Sequence, residues 1–170
     1  MLTSSMNRMK LYFGRVLLMG FTLILFSAKI TLGQSIPSFS MRLANGKLFS
    51  DKDLSHKKPV IIIYFAPDCE HCQILMKVLF KRMRDFRKAQ IVMVTFKPVN
   101  EVVDFEKSYQ TAKYPNIKVG IEIPIFFFRQ YYNLQNTPFT ALYDKHGKLI
   151  ISYKKETPVD DLIKHLKVLQ

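Results

Sequence analysis

Residues 59–65 read PVIIIYF, an unbroken apolar and mostly β-branched run. A strand with one wet face alternates apolar and polar residues, whereas an unbroken run fits a strand buried on both faces. Such a strand lies inside a covered sheet, so this run points to an α/β architecture. The residues that follow support it. Leu75, Val78, Leu79, Met83 and Phe86 recur at helical spacing, while Lys77, Lys81, Arg84 and Lys88 fall outside that stripe. QIVMVTF at 90–96 reads as a second buried strand. Strand, helix and strand in that order make a βαβ unit.

The remaining elements are punctuated by turn and cap residues. Ala44-Asn45-Gly46-Lys47 carries the Asn-Gly signal of a hairpin turn, so 35–58 reads as a short hairpin and a connection. A helix is expected from about Asn100 to Ala112, a short strand over Ile117–Ile121 and a helix over Ile123–Tyr132. Residues 139–143 and 148–153 flank Asp144-Lys145-His146-Gly147 as a second hairpin. Thr157 is expected to cap a last helix, with Pro158 at its first position and Asp160 and Asp161 at the positive end of its dipole. Leu162, Ile163, Leu166 and Leu169 would pack on the sheet. Ile125 to Phe128, with Tyr131 and Tyr132, form a dense aromatic segment. Core packing is its expected role, and an exposed partner surface is the alternative.

The formal charge of +13 would suit a nucleic-acid binder, but part of it sits at the N-terminus. Arg8, Lys10 and Arg15 precede an apolar run from Val16 to Phe26, and small or weakly polar residues follow. This is the layout of a secretory signal peptide. The run is short of the about 20 residues of a membrane span. Residues 1–33 therefore read as a cleavable signal, with an uncleaved anchor as the alternative. Cleavage is expected after Gly33, with Ala28 as the second choice. These residues hold four of the 26 basic residues and none of the 13 acids, so the remainder is still basic, at +9. Its cations are scattered apart from KRMRDFRK at 81–88, which reads as a solvated helix face. An exported protein with scattered charge is not expected to bind nucleic acid. Loose attraction to anionic membranes or acidic partners is compatible with it.

The only two cysteines, Cys69 and Cys72, stand where the first buried strand hands over to its helix. The first-turn amides of a helix lack intrahelical partners and carry partial positive charge. A thiolate at Cys69 is stabilised there and becomes a nucleophile near neutral pH. Cys72, one turn inside, can then resolve a mixed disulfide on Cys69. Between and beside them, His71 would favour the Cys69 thiolate, while Asp68 and Glu70 would oppose it by like-charge repulsion. A structural cross-link is the plainer reading for an exported chain. However, a bridge over two intervening residues removes little chain entropy. Zinc would need two more ligands, and His56, His71, His146 and His165 supply no second pair at metal spacing. Gln73 occupies the place of the histidine that a c-type haem attachment requires. No metal and no cofactor is expected.

IIIYFAPDCEHC with its amphipathic helix resembles the active-site strand, turn and helix of the thioredoxin-like superfamily. Asn136-Thr137-Pro138-Phe139-Thr140, followed by ALYDKHGKLI, resembles that family's cis-proline loop and hairpin. The resemblance covers residues 36–169, and Cys72 and Pro138 lie 66 positions apart. The extra segment and the signal resemble the TlpA-like branch, exported thiol-disulfide oxidoreductases often supplied with electrons by a membrane reductase. The resemblance implies a central mixed sheet flanked by helices, with an N-terminal hairpin and an inserted segment before the proline loop. It also implies that Pro138 faces the dithiol and that the Thr137 backbone pairs with an extended substrate. The chain departs from the pattern in several places. It has no Trp, and Asp68 and Glu70-His71 replace the usual residues of the turn. Ile63 stands in place of the buried acid of thioredoxin, leaving Glu101, Asp104 or a water to accept the proton of the resolving cysteine. Peroxiredoxins, a sister family, need a Thr where Ala66 stands, which disfavours a peroxidase.

Together these readings describe one thioredoxin-like domain over 34–170, exported to the periplasm or cell envelope and monomeric. It is expected to exchange disulfides with protein thiols through Cys69 as nucleophile and Cys72 as resolving residue, alongside a membrane redox partner. The alternative is a non-catalytic thioredoxin-like interaction module of the envelope.

Overall fold

In a computed structural model of the chain, residues 34–170 are described; the expected signal or anchor, 1–33, lies outside them. Seven strands form one sheet: β1 (Ser40–Leu43), β2 (Leu48–Ser50), β3 (Val60–Tyr64), β4 (Gln90–Thr95), β5 (Ile117–Ile123), β6 (Phe139–Tyr143) and β7 (Leu149–Lys154). Their order is β2-β1-β5-β4-β3-β6-β7. β3 is parallel to β4 and β4 to β5, while β1, β6 and the outer strands run antiparallel to their neighbours. Four helices accompany the sheet: α1 (Glu70–Lys81), α2 (Val99–Tyr109), α3 (Phe127–Tyr131) and α4 (Val159–Val168). This is the mixed, thioredoxin-like α/β fold that the sequence implied.

The run at 59–65 is central because both faces are covered. Ile61, Ile63 and Phe65 enter one core with Leu75, Met76 and Leu79 of α1, Val102 and Phe105 of α2, and Leu162 and Leu166 of α4. Val60, Ile62 and Tyr64 enter the other, with Phe39, Met41, Phe128, Tyr132 and Leu134. The alternation is the two-residue period of a strand, expressed here between two apolar layers. Within the second layer, Gly120 is held to glycine by its neighbour strand. A Cβ there would lie 2.8 Å from the Arg42 carbonyl oxygen.

Several expected boundaries move. α1 ends at Lys81, so Met83 and Phe86 reach the core from a separate 3₁₀ turn, and Val78 is exposed on the other side of the stripe. α2 begins at Val99 and ends at Tyr109, three residues short of Ala112, where Gln110 turns left-handed. β5 runs on to Ile123, and the expected helix over 123–132 shrinks to α3. The Ile123–Pro124 bond is cis and Phe126 has a positive φ, a backbone path that no helix can follow. Pro158, not Thr157, takes the N-cap position of α4, because the Thr157 hydroxyl is bonded to Thr140 Oγ1 at 2.8 Å. The aromatic segment splits: Phe128 and Tyr132 are core residues, while Ile125, Phe126 and Tyr131 are exposed.

Candidate active site

β3 ends at Tyr64, and Phe65 still bonds to the Val94 carbonyl before the chain leaves the sheet. Cys69 then takes the N-cap position of α1, with an extended backbone and its N–H donated to the Ala66 carbonyl at 3.1 Å. Its carbonyl accepts the Gln73 N–H, so it also begins the helical ladder. Cys69 is half-buried, whereas Cys72 is 1 % exposed and belongs to the core beside Ile63 and Phe65. Both thiols are free.

The proline loop closes on this pair. The Cys69 thiol donates to the Thr137 carbonyl oxygen at 3.6 Å, and the Thr137–Pro138 bond is cis. Burial alone would raise the Cys69 thiol. Hydrogen bonds from the Thr137 side chain, the Cys72 N–H and thiol, and the His71 N–H outweigh it and hold the group below the ordinary thiol value. Cys72 goes the other way: burial pushes its thiol up to about 12, and the adjacent Cys69 adds to the rise. Two thiols one turn apart are thereby shifted in opposite directions, Cys69 toward easier ionisation and Cys72 away from it.

The neighbouring residues act differently from their sequence expectation. His71 is exposed and reaches Cys69 through its backbone N–H, as a first-turn amide. Glu70 is exposed and bonded to neither sulfur. Asp68 is ion-paired with Lys97, whose hydrogen bond lowers the Asp68 carboxyl below the usual range. Lys97 follows β4, the parallel neighbour of β3, so the two strand ends bring acid and base together. Sequence reasoning missed Lys97. The available signal was a basic residue just past the end of the adjacent parallel strand.

Neither proposed substitute for a buried acid reaches the sulfurs. Asp104 is exposed, Glu101 is half-buried, and no carboxylate among the described residues bonds to either thiol. The buried acid that sequence reasoning did not single out is Glu122. It accepts the Tyr64 hydroxyl at 2.8 Å and the Phe126 and Phe128 N–H groups at 2.9 and 2.8 Å. Tyr64 and Phe128 belong to the second core layer, so Glu122 works on the sheet face opposite Cys72.

The separation of the two thiols has a direct readout. Alkylation of Cys69 by iodoacetamide should accelerate with a midpoint below the ordinary thiol pKa, with Cys72 unreactive until about pH 12. Thr137→Val keeps the shape and removes the hydroxyl, so it should move the Cys69 midpoint upward. An unmoved midpoint would remove Thr137 from the electrostatics of the pair.

Comparison with known proteins places this geometry. No curated protein matches the chain. Among solved structures, dsbF of MTB is 19 % identical with a TM-score of 0.64, covering 80 % of this chain and 100 % of that one. A SCO1/SenC family lipoprotein from Bacillus anthracis str. Ames is 18 % identical with a TM-score of 0.65, covering 83 % and 98 %. The exposed lipoprotein thioredoxin of Streptococcus pneumoniae strain TIGR4 is 21 % identical with a TM-score of 0.59, covering 78 % and 100 %. At these identities the likeness is one of fold. It agrees with the resemblance to the TlpA-like branch of the thioredoxin-like superfamily. Residues 32–164 match the AhpC/TSA family over most of the chain, and the protein belongs to that family.

Proposed function

We propose that the protein is an exported thiol-disulfide oxidoreductase that exchanges disulfides with protein substrates through Cys69 and Cys72. The observation that carries this reading is the split between the two thiols: Cys69 half-buried and lowered at a helix N-terminus, Cys72 buried and raised beside it. The Cys69 thiolate attacks one sulfur of a substrate disulfide, and the other sulfur leaves as a thiolate that takes up a proton. Cys72 then loses its proton and attacks Cys69 Sγ. The substrate's second thiol is released, with the substrate reduced by two electrons and Cys69–Cys72 oxidised to a disulfide. The reverse sequence donates that disulfide to a reduced substrate. Thr137 and Pro138 flank the reacting sulfur on the side where an extended substrate would lie. His71 tunes the pair through its backbone N–H, while the Asp68 charge is neutralised by Lys97.

Placement outside the cytoplasm rests on the leader-like 1–33 segment, with support from neighbours described as lipoproteins. A monomer working with a membrane redox partner fits this setting, with residues 34–170 as the working domain. Cys72→Ser tests the exchange step. It leaves the nucleophile and removes the resolving thiol, so it should accumulate disulfide-linked adducts with cell-envelope proteins that reductant releases. A Cys72→Ser protein that forms no such adducts, while Cys69 remains alkylatable, would overturn the reading.

A further inference from the structure

The register of the sheet defines two edges. The dithiol lies at the C-terminal ends of the parallel strands. The starts of β3, β4 and β5 lie at the opposite edge, where Gln90 bonds to the Pro59 carbonyl and Ile91 to the Asn116 carbonyl. α1 spans the two, from Cys69 at its N-cap to Lys81 at its last turn, about 18 Å at 1.5 Å per residue.

At this second edge lies an open pocket of about 830 Å³. Lys58, Lys81, Arg84, Arg87 and Lys113 line it, and no acid does. Lys81, Arg84 and Arg87 come from the basic run at 81–88, and folding adds Lys58 and Lys113 to it from either side in sequence. None of them forms an ion pair among the described residues. The nearest acid in sequence, Asp85, is taken by Arg82 at 2.8 Å. Phe80 and Tyr114 supply an apolar wall, and Asn116 fixes the floor by donating to the Phe86 and Ala89 carbonyls at 3.0 Å.

The chain enters the domain at the same edge. The Gln34 carbonyl accepts the Leu149 N–H at 2.9 Å, and Ile36 N–H donates to the Gly147 carbonyl at 3.0 Å. The turn that holds these residues joins β6 to β7 beside Val60, the first residue of β3. Residues 1–33, with the apolar run from Val16 to Phe26, therefore join the described residues on the same edge of the sheet as the pocket.

We propose that this basic edge is a docking surface for the phosphate headgroups of an anionic bilayer. Docked there, the domain rests on the membrane by its β3–β5 starts and presents Cys69 and Thr137 to the aqueous side, where a folded or extended protein substrate can reach them. Clustered cations at a bilayer surface add roughly independently to the attraction and are screened by salt. The proposal stands apart from dithiol exchange, because no cation of this edge touches a cysteine.

The test is flotation of the full-length chain with vesicles of phosphatidylcholine alone, or of phosphatidylcholine mixed with phosphatidylglycerol. Neutral vesicles report whatever the 1–33 segment contributes through its apolar run. Arg84→Gln/Lys113→Gln should lose about 30-fold in partition to the anionic vesicles and nothing on the neutral ones. Lys52→Gln/Lys164→Gln removes the same net charge from exposed positions outside the pocket and should retain most of the binding. Equal losses for the two pairs, or no loss for the first, would overturn the proposal. So would saturable binding of inorganic pyrophosphate that the first pair abolishes without altering vesicle partition. Both pairs should reduce a soluble model disulfide at the wild-type rate, which separates failure here from failure of the exchange reading.

Discussion

Cys69→Ser should reduce disulfide exchange with a model protein such as insulin to the uncatalysed background. The hydroxyl of serine is not ionised at neutral pH, and the helix N-terminus that favours a thiolate has no anion to stabilise. Cys72 cannot replace it, because the thiol is 1 % exposed and pushed up to about 12. Fold should be little affected, since Cys69 is a half-buried helix cap at the margin of the first core layer, serine is close to it in size, and its backbone bonds to Ala66 and Gln73 persist. Insulin turbidity and a thermal melt measured on the same preparation separate the two effects. Wild-type turnover by the variant would leave the alternative of a non-catalytic interaction module.

The second large effect concerns stability on the other face of the sheet. Glu122→Leu should cost about 3–5 kcal/mol, because it leaves the Tyr64 hydroxyl and the Phe126 and Phe128 N–H groups without their acceptor inside the second core layer. Glu122→Gln keeps one acceptor oxygen and should cost about 1–2 kcal/mol. A native domain has about 5–15 kcal/mol in total, so the leucine variant approaches the limit of folding. Urea titration measures both. Burial raises the Glu122 carboxyl above its ordinary value, against the bonds from Phe128, Tyr64 and Phe126. The sign follows: its contribution to stability is greatest below the unfolded carboxylate pKa and is lost as pH rises through the folded one. Glu122→Gln should therefore flatten the pH dependence in that range. A leucine variant as stable as wild type would mean that the 123–128 path is held by its apolar contacts alone.

The parts of the fold that were legible in the sequence are those where one residue pattern has one physical solution. PVIIIYF could be satisfied only between two apolar layers, and Ile61, Ile63 and Phe65 against Val60, Ile62 and Tyr64 are those layers. Asn45-Gly46 made its hairpin turn with Gly46 at φ 82, the conformation that favours glycine. The dithiol was legible because a strand followed at once by a helix leaves one place for Cys69. The parts that were not legible depend on partners far apart in the chain. Lys97 reaches Asp68 across 29 positions, and only the pairing of β3 with β4 brings them together. Glu122 reaches Tyr64 across 58 positions, and its bonds to Phe126 and Phe128 hold a backbone path where periodicity alone suggested a helix. Thr157 looked like a cap until the fold placed Thr140 beside it. Three cations of the basic pocket lie in the 81–88 run that read as a solvated helix face, but Lys58 and Lys113 join them only through the fold.

The most direct test of the central claim is equilibration of the full-length protein in graded glutathione redox buffers, followed by acid quench, thiol labelling and mass spectrometry. The account predicts one reversible two-electron transition in which Cys69 and Cys72 lose reactivity together as they form a single bond to each other. Two thiols that oxidise independently, or a pair that stays reduced across the whole series, would contradict it.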